Sequence, residues 1–401
     1  MQRPPQVALA SWTRGIAPSA IQQLLVSASQ PGVTSFALGL PAPELFPSAA
    51  FGAAMARVLA EDPRALQYGP PTGRLKAQIV ELMARRGVSC TPEQVLLTTG
   101  AQQGLSLLAH LLVEPGQQVM IERLAYSGFR QVLDLLQPRV LHVPTGLEHG
   151  LDIDAAERTL AAGARPALIY TVCDGHNPLG TSLDAAQRLR LVELARAYGV
   201  PVIEDDPYGF LRYEPGGPPP LRALDDEWVY YVGSFSKILA PAVRVGWLVV
   251  PAPLVPKLEV VKEASDINTA SLAQRAVAAY LDSENLDRHL GLLRRTYRER
   301  RDTMLEALQT HLAGRARWTR PQSGMFIWLE LERPIDTGVL LREAIARERI
   351  AFLPGAAFTT EADPAAARSM RLNFSNVPPA QIADGIARLA RLIARFEGGA
   401  V

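Results

Sequence analysis

Gly233-Ser234-Phe235-Ser236-Lys237, with Arg244 seven residues after the lysine, brings two hydroxyls, an amine and a guanidinium into one short stretch. Such groups can hold a phosphate and leave an amine free to react. Lysine is scarce here: Lys76, Lys237, Lys257 and Lys262 are the only four among 41 basic residues, and the other 37 are arginines. Codon composition accounts for most of such a skew, because arginine replaces lysine on a solvated surface without changing the charge. Where an amine must lose its proton and condense with a carbonyl, arginine cannot serve. Standing alone, a Ser-x-Ser-Lys stretch is more simply a solvated loop, so its surroundings decide.

Three other segments end apolar runs in a similar way. Ile203-Glu204-Asp205-Asp206-Pro207-Tyr208 sets acids straight after apolar residues, where one carboxylate can lie buried against a cationic ring nitrogen. Taken alone, that pair is equally a helix N-cap or a metal-binding corner. Asn177-Pro178-Leu179-Gly180 is by itself a turn. Gly100-Ala101-Gln102 opens a helix whose free N–H groups make an anion site. An anion cradle, an amide, an acid and an amine thus fall at four strand ends, where ligands of open α/β sheets bind.

The elements that must carry these groups alternate in type. Strands are expected at Val95–Thr98, Val119–Glu122, Val140–Val143, Ala167–Val172 and Val202–Glu204, with helices at Ala101–Val113, Ser127–Gln137, Asp152–Ala162 and Asp184–Tyr198 between them. This rhythm predicts a mainly parallel sheet covered by helices. Strand Trp228–Val232 then reaches Val243–Val250 through a connection too short for a parallel crossover, so the latter strand is expected to be antiparallel. Helices follow over Pro251–Glu263 and Ser271–Leu312. The tail reads as strand Met325–Leu331, helix Thr337–Arg347, strands Ala351–Leu353 and Met370–Phe374, and helix Pro379–Phe396. Pro18 suits the first turn of a helix that Pro31 and Gly32 end. The expected division is a large domain over 46–285 and a smaller α+β domain from 1–45 with 286–401.

Composition excludes several classes. A net charge of +1 without a long basic run gives no pull toward nucleic acid or an anionic membrane. Cys90 and Cys173 are the only cysteines, so a disulfide framework and a four-thiolate metal site are both ruled out, and no metal is expected. No apolar run approaches the ~18 residues that span a bilayer, and Met1 to Gly15 lacks the apolar core of a signal peptide. The default compartment is the cytoplasm.

In order and spacing, these motifs resemble the fold-type-I pyridoxal 5'-phosphate enzymes, specifically class I/II aminotransferases of the aminoadipate and kynurenine aminotransferase branch. The likeness runs from Phe36-Ala37-Leu38-Gly39-Leu40-Pro41 to Met370-Arg371-Leu372-Asn373-Phe374, nearly the whole chain, and Gly233–Lys237 with Arg244-Val245-Gly246 is its most specific element. It implies that Lys237 holds the cofactor covalently and later moves the substrate proton. It implies that Asp205 keeps the pyridine nitrogen protonated, so that the ring accepts the electron pair left by Cα–H cleavage. Asn177 and Tyr208 match the pair that hydrogen-bonds the ring oxygen, and Tyr126 the aromatic that stacks on the ring. Gly100, Ala101, Gln102, Ser234, Ser236 and Arg244 fall where the family cradles the phosphate. Tyr68 resembles a residue reaching that phosphate from the partner subunit of a homodimer. Arg371 matches the clamp on the substrate α-carboxylate, a role suited to a planar fork, with Asn177, Gly39 and Gln22 among the substrate-side positions.

Each of these has a plainer reading: Tyr126 as core, Tyr68 as surface, Ser236 as a loop-orienting hydroxyl. His176 beside Asn177 fits a structural role better than a general base, and Arg294 to Arg301 a solvated helix face. The sequence departs from the family's pattern at three places. Ala101 stands where many relatives have a serine. Cys173-Asp174-Gly175-His176 and Leu179 replace a common proline, glutamine and threonine around the Asn-Pro turn. Gln22 lies where some aminoadipate-acting relatives carry an arginine for a distal carboxylate. The resemblance therefore implies transfer of an amino group from a neutral, aromatic or aliphatic amino acid to a 2-oxo acid such as 2-oxoglutarate, unless Arg14 or another arginine supplies the missing charge. Two alternatives share the chemistry or the fold: a lyase or decarboxylase, and an effector-sensing domain. Sensors of that kind carry an N-terminal winged helix-turn-helix, for which there is no room before Phe36.

Overall fold

The structure, a computed structural model, describes residues 8, 10, 12, 13, 31–148, 150–283, 285–360 and 362–399. Its centre is a seven-stranded sheet: β1 (Val95–Thr98), β2 (Gln118–Glu122), β3 (Arg139–Val143), β4 (Ile169–Thr171), β5 (Val202–Asp205), β6 (Val229–Ser234) and β7 (Gly246–Val249). Their order is β1-β7-β6-β5-β4-β2-β3. Strands β1, β4, β5, β6 and β7 are buried along their whole length, as expected of a sheet covered on both faces.

Only β7 runs against its neighbours, pairing antiparallel with both β1 and β6. That inversion positions the site. The carboxyl ends of β1, β4, β5 and β6 share one edge, and β7 begins at that same edge, with Gly246 opposite Thr98 and Ser234. Arg244, two residues before Gly246, is thereby delivered to the edge where the other strands finish. The strand starts later than the apolar run suggests, because Pro241–Val243 forms a 3-10 turn and Arg244 takes a left-handed conformation at φ 55°.

Helices α1 (Ser48–Glu61), α2 (Gly73–Ala84), α3 (Ala101–Leu112), α4 (Ser127–Leu136), α5 (Ile153–Ala161), α6 (Ala185–Tyr198), α7 (Val255–Asp266) and α8 (Ser271–Leu281) surround this sheet. Their ends follow local rules. Asp184 and Gln187 form a reciprocal capping box at the start of α6, and Gly199 closes it in the left-handed region. Helices α1 and α2 are additions to the expected elements. The expected helix from Pro18 lies outside the described residues.

Beyond α9 (Asn285–Leu312), a four-stranded antiparallel sheet comprises β8 (Ala316–Trp318), β9 (Phe326–Leu331), β10 (Leu353–Pro354) and β11 (Ser369–Asn373), in the order β8-β9-β11-β10. The expected strand Ala351–Leu353 divides in two: Ile350–Ala351 pairs with Thr34–Ser35, and Leu353–Pro354 pairs with β11. The expected helix Thr337–Arg347 ends as an α-helix at Glu343 and continues as a π-turn. Helix α10 (Pro379–Glu397) packs along α9. The segment from Thr34 runs beside this sheet, and Phe36 O accepts from Asn373 N at 2.8 Å, which brings Gly39 toward Arg371. Among the described residues no helix is long and apolar enough to cross a membrane.

Candidate active site

A cavity of about 320 Å³ opens at the strand-end edge, lined by Lys237, Asp205, Asn177, Tyr208 and Arg371 together with most of the other expected site residues. Its amine comes from the turn after β6. Lys237 Nζ donates to the Gly39 carbonyl at 2.7 Å. Burial, then the Arg371 and Arg244 guanidiniums, push the amine down to about 8. A lysine held there spends a substantial fraction of its time as a free base near neutral pH.

The acid comes from β5. Strand pleating sends successive side chains to opposite faces, and here it separates the Glu204-Asp205-Asp206 run. Glu204 accepts from the backbone N–H groups of Leu221 and Arg222. Asp206 binds Gly209 N, Tyr231 Oη and Arg86. Of the three, Asp205 alone reaches the cavity, with Tyr170 Oη donating to its Oδ2 at 2.9 Å and Oδ1 buried without a partner among the described residues. Burial raises its carboxyl to about 7 against the lowering effect of that hydrogen bond.

Opposite the acid lies a set of anion-binding groups. Ser234 Oγ donates to Ser236 Oγ at 2.9 Å, and Arg244 Nη1 lies 3.5 Å from Ser236 Oγ. Arg244 Nη2 donates to Thr99 O at 3.1 Å, which sets the guanidinium against the N-terminus of α3. Gly100 caps that helix at φ 83°, and a Cβ there would lie 2.5 Å from Arg244 Nη2. Ala101 and Gln102 line the cavity, while Gly100 stands just behind it. The Gln102 side chain is engaged elsewhere: its Nε2 donates to Gly128 O and its Oε1 accepts from Tyr126 Oη at 3.2 Å.

Arg371, on β11, closes the far side. Its Nη1 donates to Asn177 Oδ1 and its Nη2 to Ala37 O, each at 2.7 Å, while Nε has no partner among the described residues. The guanidinium lies 4.1 Å from the centroid of Phe326 and 5.0 Å from that of Phe358. Burial pulls it down to about 10. Tyr208 is buried beside it, with its phenol raised by burial, and burial likewise raises Tyr126 to about 12.

Tyr68 does not line this cavity and is 82% exposed on the surface; Gln22 and Arg14 lie outside the described residues. His176 has the structural environment expected of it. Its Nδ1 accepts from Leu179 N, so its Nε2 carries the proton toward Glu122 Oε2 at 2.9 Å, both side chains being buried. Sequence reasoning missed Tyr170, Phe326 and Phe358, which sit in apolar runs indistinguishable from core. One reading is corrected: within the Arg294 to Arg301 run expected on a solvated helix face, Arg300 is 5% exposed, its guanidinium bonded to Glu44 and to the Ser375 carbonyl. Lys262 is also buried, 3% exposed, with Nζ bonded to Gln103 and Asp266.

A mainly parallel sheet with one inverted strand, carrying an amine, a buried acid and an anion cradle along one edge, defines the fold-type-I pyridoxal-phosphate enzymes. The family model for aminotransferase class I and II matches residues 38–389, and the chain belongs to that family. It is similar to the aromatic-amino-acid aminotransferase 1 of Thermococcus litoralis, with 35% identity covering 94% of this chain and 92% of the relative. It is 38% identical to the 2-aminoadipate transaminase of Thermus thermophilus, with 94% of each covered. Among solved structures, the Pyrococcus horikoshii kynurenine aminotransferase in complex with PMP superposes with a TM-score of 0.90 at 33% identity, covering 97% of both chains. The protein is a pyridoxal-phosphate-dependent aminotransferase.

Proposed function

We propose that Lys237 holds pyridoxal phosphate and that the cavity transfers the amino group of a neutral amino acid, aromatic or aliphatic, to a 2-oxo acid such as 2-oxoglutarate. The buried, unpaired Oδ1 of Asp205 carries this reading: it is a carboxylate oxygen waiting for a cationic N–H, as a protonated pyridine provides. The chain's groups fit the rest of the cofactor. Ser234, Ser236, Arg244, Ala101 and Gln102 line the part of the cavity that would take its phosphate, and a Cβ at Gly100 would press on the Arg244 guanidinium.

When bound, the cofactor supplies an aldehyde carbon and an electron-accepting ring. The protein does the rest. With the substrate joined to the cofactor, Lys237 Nζ would be the base that takes the proton from the substrate Cα and delivers it to the cofactor's former aldehyde carbon, a role favoured by the burial and the Arg371 and Arg244 charges that lower the free amine to about 8. Asp205 would keep a proton on the ring nitrogen, with Tyr170 fixing which of its oxygens is available. Asn177 and Tyr208 would hold the ring oxygen and Tyr126 the ring, and Arg371, now bonded to Asn177 and Ala37, would bind the α-carboxylate.

The neutral-substrate preference rests on charge. Among the described lining residues the cations are Lys237, Arg244 and Arg371, all committed, and the remaining wall includes Val172, Pro207 and Phe326. Of the relatives' names, aromatic amino acid and kynurenine fall within that preference, while aminoadipate, with its second carboxylate, falls outside it. We assign the protein to the cytoplasm as a homodimer in which the exposed Tyr68 serves the partner's phosphate, with a large domain at 46–285 and a small one from 1–45 and 286–401.

The test is a cycle. Purified protein absorbs in the visible, loses that band with an amino acid and regains it with a 2-oxo acid. Release of ammonia or carbon dioxide independent of the oxo acid would instead point to a lyase or decarboxylase. Borohydride should fix the cofactor to Lys237, and Lys237→Ala should abolish the visible band. In a donor screen against 2-oxoglutarate, aromatic and aliphatic donors should outrun acidic ones, and Gln22→Arg should raise acidic turnover. The opposite ranking overturns the preference.

A further inference from the structure

Lys262 is buried 25 residues beyond Lys237, on α7, and lies outside the cavity. Its Nζ donates to Asp266 Oδ1 at 2.7 Å and to Gln103 Oε1 at 2.9 Å. Both acceptors continue to one residue. Asp266 Oδ2 accepts from Thr99 Oγ1 at 2.7 Å, and Gln103 Oε1 accepts from Thr99 N at 2.8 Å. The third polar group of Thr99, its carbonyl, accepts from Arg244 Nη2. Thr99 is therefore held on every side, and it directly precedes the cradle glycine at φ 83°.

The lysine decides how this ring is wired. A side-chain amide can present either its oxygen or its NH2 to a neighbour. The ammonium holds the Gln103 oxygen inward, where it also meets the Thr99 N–H. Without the ammonium, Asp266 becomes an unneutralised carboxylate beside Gln103. The Gln103 side chain already bonds Asp266 as well, so with the ammonium gone its oxygen loses the cation that holds it against the Thr99 N–H. The backbone of Thr99-Gly100-Ala101 loses a restraint, and the N–H groups aimed into the cavity lose their fixed direction.

We propose that Lys262 is a positioning residue for the phosphate end of the cofactor, acting through Gln103, Asp266 and Thr99 on the Gly100–Gln102 cradle. This rests on the reading of that cradle as the phosphate site. It makes a selective demand: the lysine matters to the phosphate and not to the ring.

The experiment compares binding of pyridoxal phosphate and pyridoxal, which lacks the phosphate, by the cofactor-depleted full chain. The wild type should prefer pyridoxal phosphate. Lys262→Met should weaken pyridoxal phosphate about tenfold, the scale for losing a charged hydrogen-bond partner, and leave pyridoxal binding unchanged. Thr99→Val, a near-isosteric loss of one hydroxyl, should show the same selective loss and carries the test if Lys262→Met does not fold. The double variant should be no weaker than the worse single one, as for residues acting in one network. Equal losses for both ligands, or a wild-type preference that survives both substitutions, would overturn the proposal. A wild type without any preference would overturn the cradle reading, and this role with it.

Discussion

The Tyr170 phenol donates to Asp205 Oδ2 at 2.9 Å and leaves Asp205 Oδ1 as a buried oxygen with no partner among the described residues. The phenol is itself fixed, since its ring stacks on Phe129 with centroids 4.1 Å apart. One aromatic pair thus determines which oxygen of the carboxylate is left open to the cavity.

Removing that carboxylate should cost far more than removing its support. Asp205→Asn is expected to lower kcat on the order of 100-fold, the scale for losing a preorganised electrostatic partner, while Lys237 still captures pyridoxal phosphate. Tyr170→Phe is expected to cost about 1 kcal/mol, a single hydrogen bond. Steady-state kinetics alongside visible absorbance would separate the two, and equal effects would refute the ordering.

Capture of the cofactor should depend on pH through Lys237. The amine sits near 8, below its usual value, because burial and then Arg371 and Arg244 disfavour its charge. Below that pH it is protonated and unreactive, and above it the free base condenses. The rate at which cofactor-free protein takes up pyridoxal phosphate should therefore rise as pH increases through about 8. Arg371→Leu removes one of the repelling charges, so its midpoint should move to higher pH.

Arg371 should be intolerant even of lysine. Its two terminal nitrogens reach Asn177 and Ala37 at once, a fork that a single ammonium cannot reproduce. Arg371→Lys is expected to raise the KM of the amino donor by about 2 to 3 kcal/mol, in the range for charge-assisted hydrogen bonds, with a smaller change in kcat. An unchanged KM would remove Arg371 from carboxylate binding.

Gly100→Ala tests the cradle with one methyl group. The residue would be strained at φ 83° and would meet Arg244 Nη2 at 2.5 Å. At φ 83° and ψ 169° the backbone lies where essentially only glycine is at ease, a strain of about 1 to 3 kcal/mol for alanine, and displacement of Arg244 should add a loss of cofactor affinity. Thermal unfolding with and without pyridoxal phosphate would show both, the ligand-dependent gain shrinking in the variant.

Much of this site was legible in the chain because its chemistry sits at strand ends, where apolar runs stop abruptly. The Ser234–Lys237 turn, the acids after Ile203 and the Asn177 turn all announce themselves in that way. The antiparallel β7 was also legible, from a connection too short to cross over. What stayed hidden was whatever looks like core: Tyr170 and Phe326 lie within apolar runs, and nothing local marks them as facing a cavity. Helices α1 and α2 and the three-residue β8 likewise escaped the sequence reading.

Sequence by itself determined the kinds of groups available, the single lysine placed to react, and the alternation that lines strand ends along one edge. These are local properties, set by covalent spacing and by periodicities of two and 3.6 residues. Tertiary structure alone decided which of three consecutive acids faces the cavity, how an arginine outside a strand reaches the same edge, and which lysines are buried. Those outcomes depend on sheet order, strand direction and the partners found at long range. Lys262 shows the difference most plainly: on a helix it is one more cation, and in the fold it is buried against Gln103 and Asp266, both of which bond Thr99.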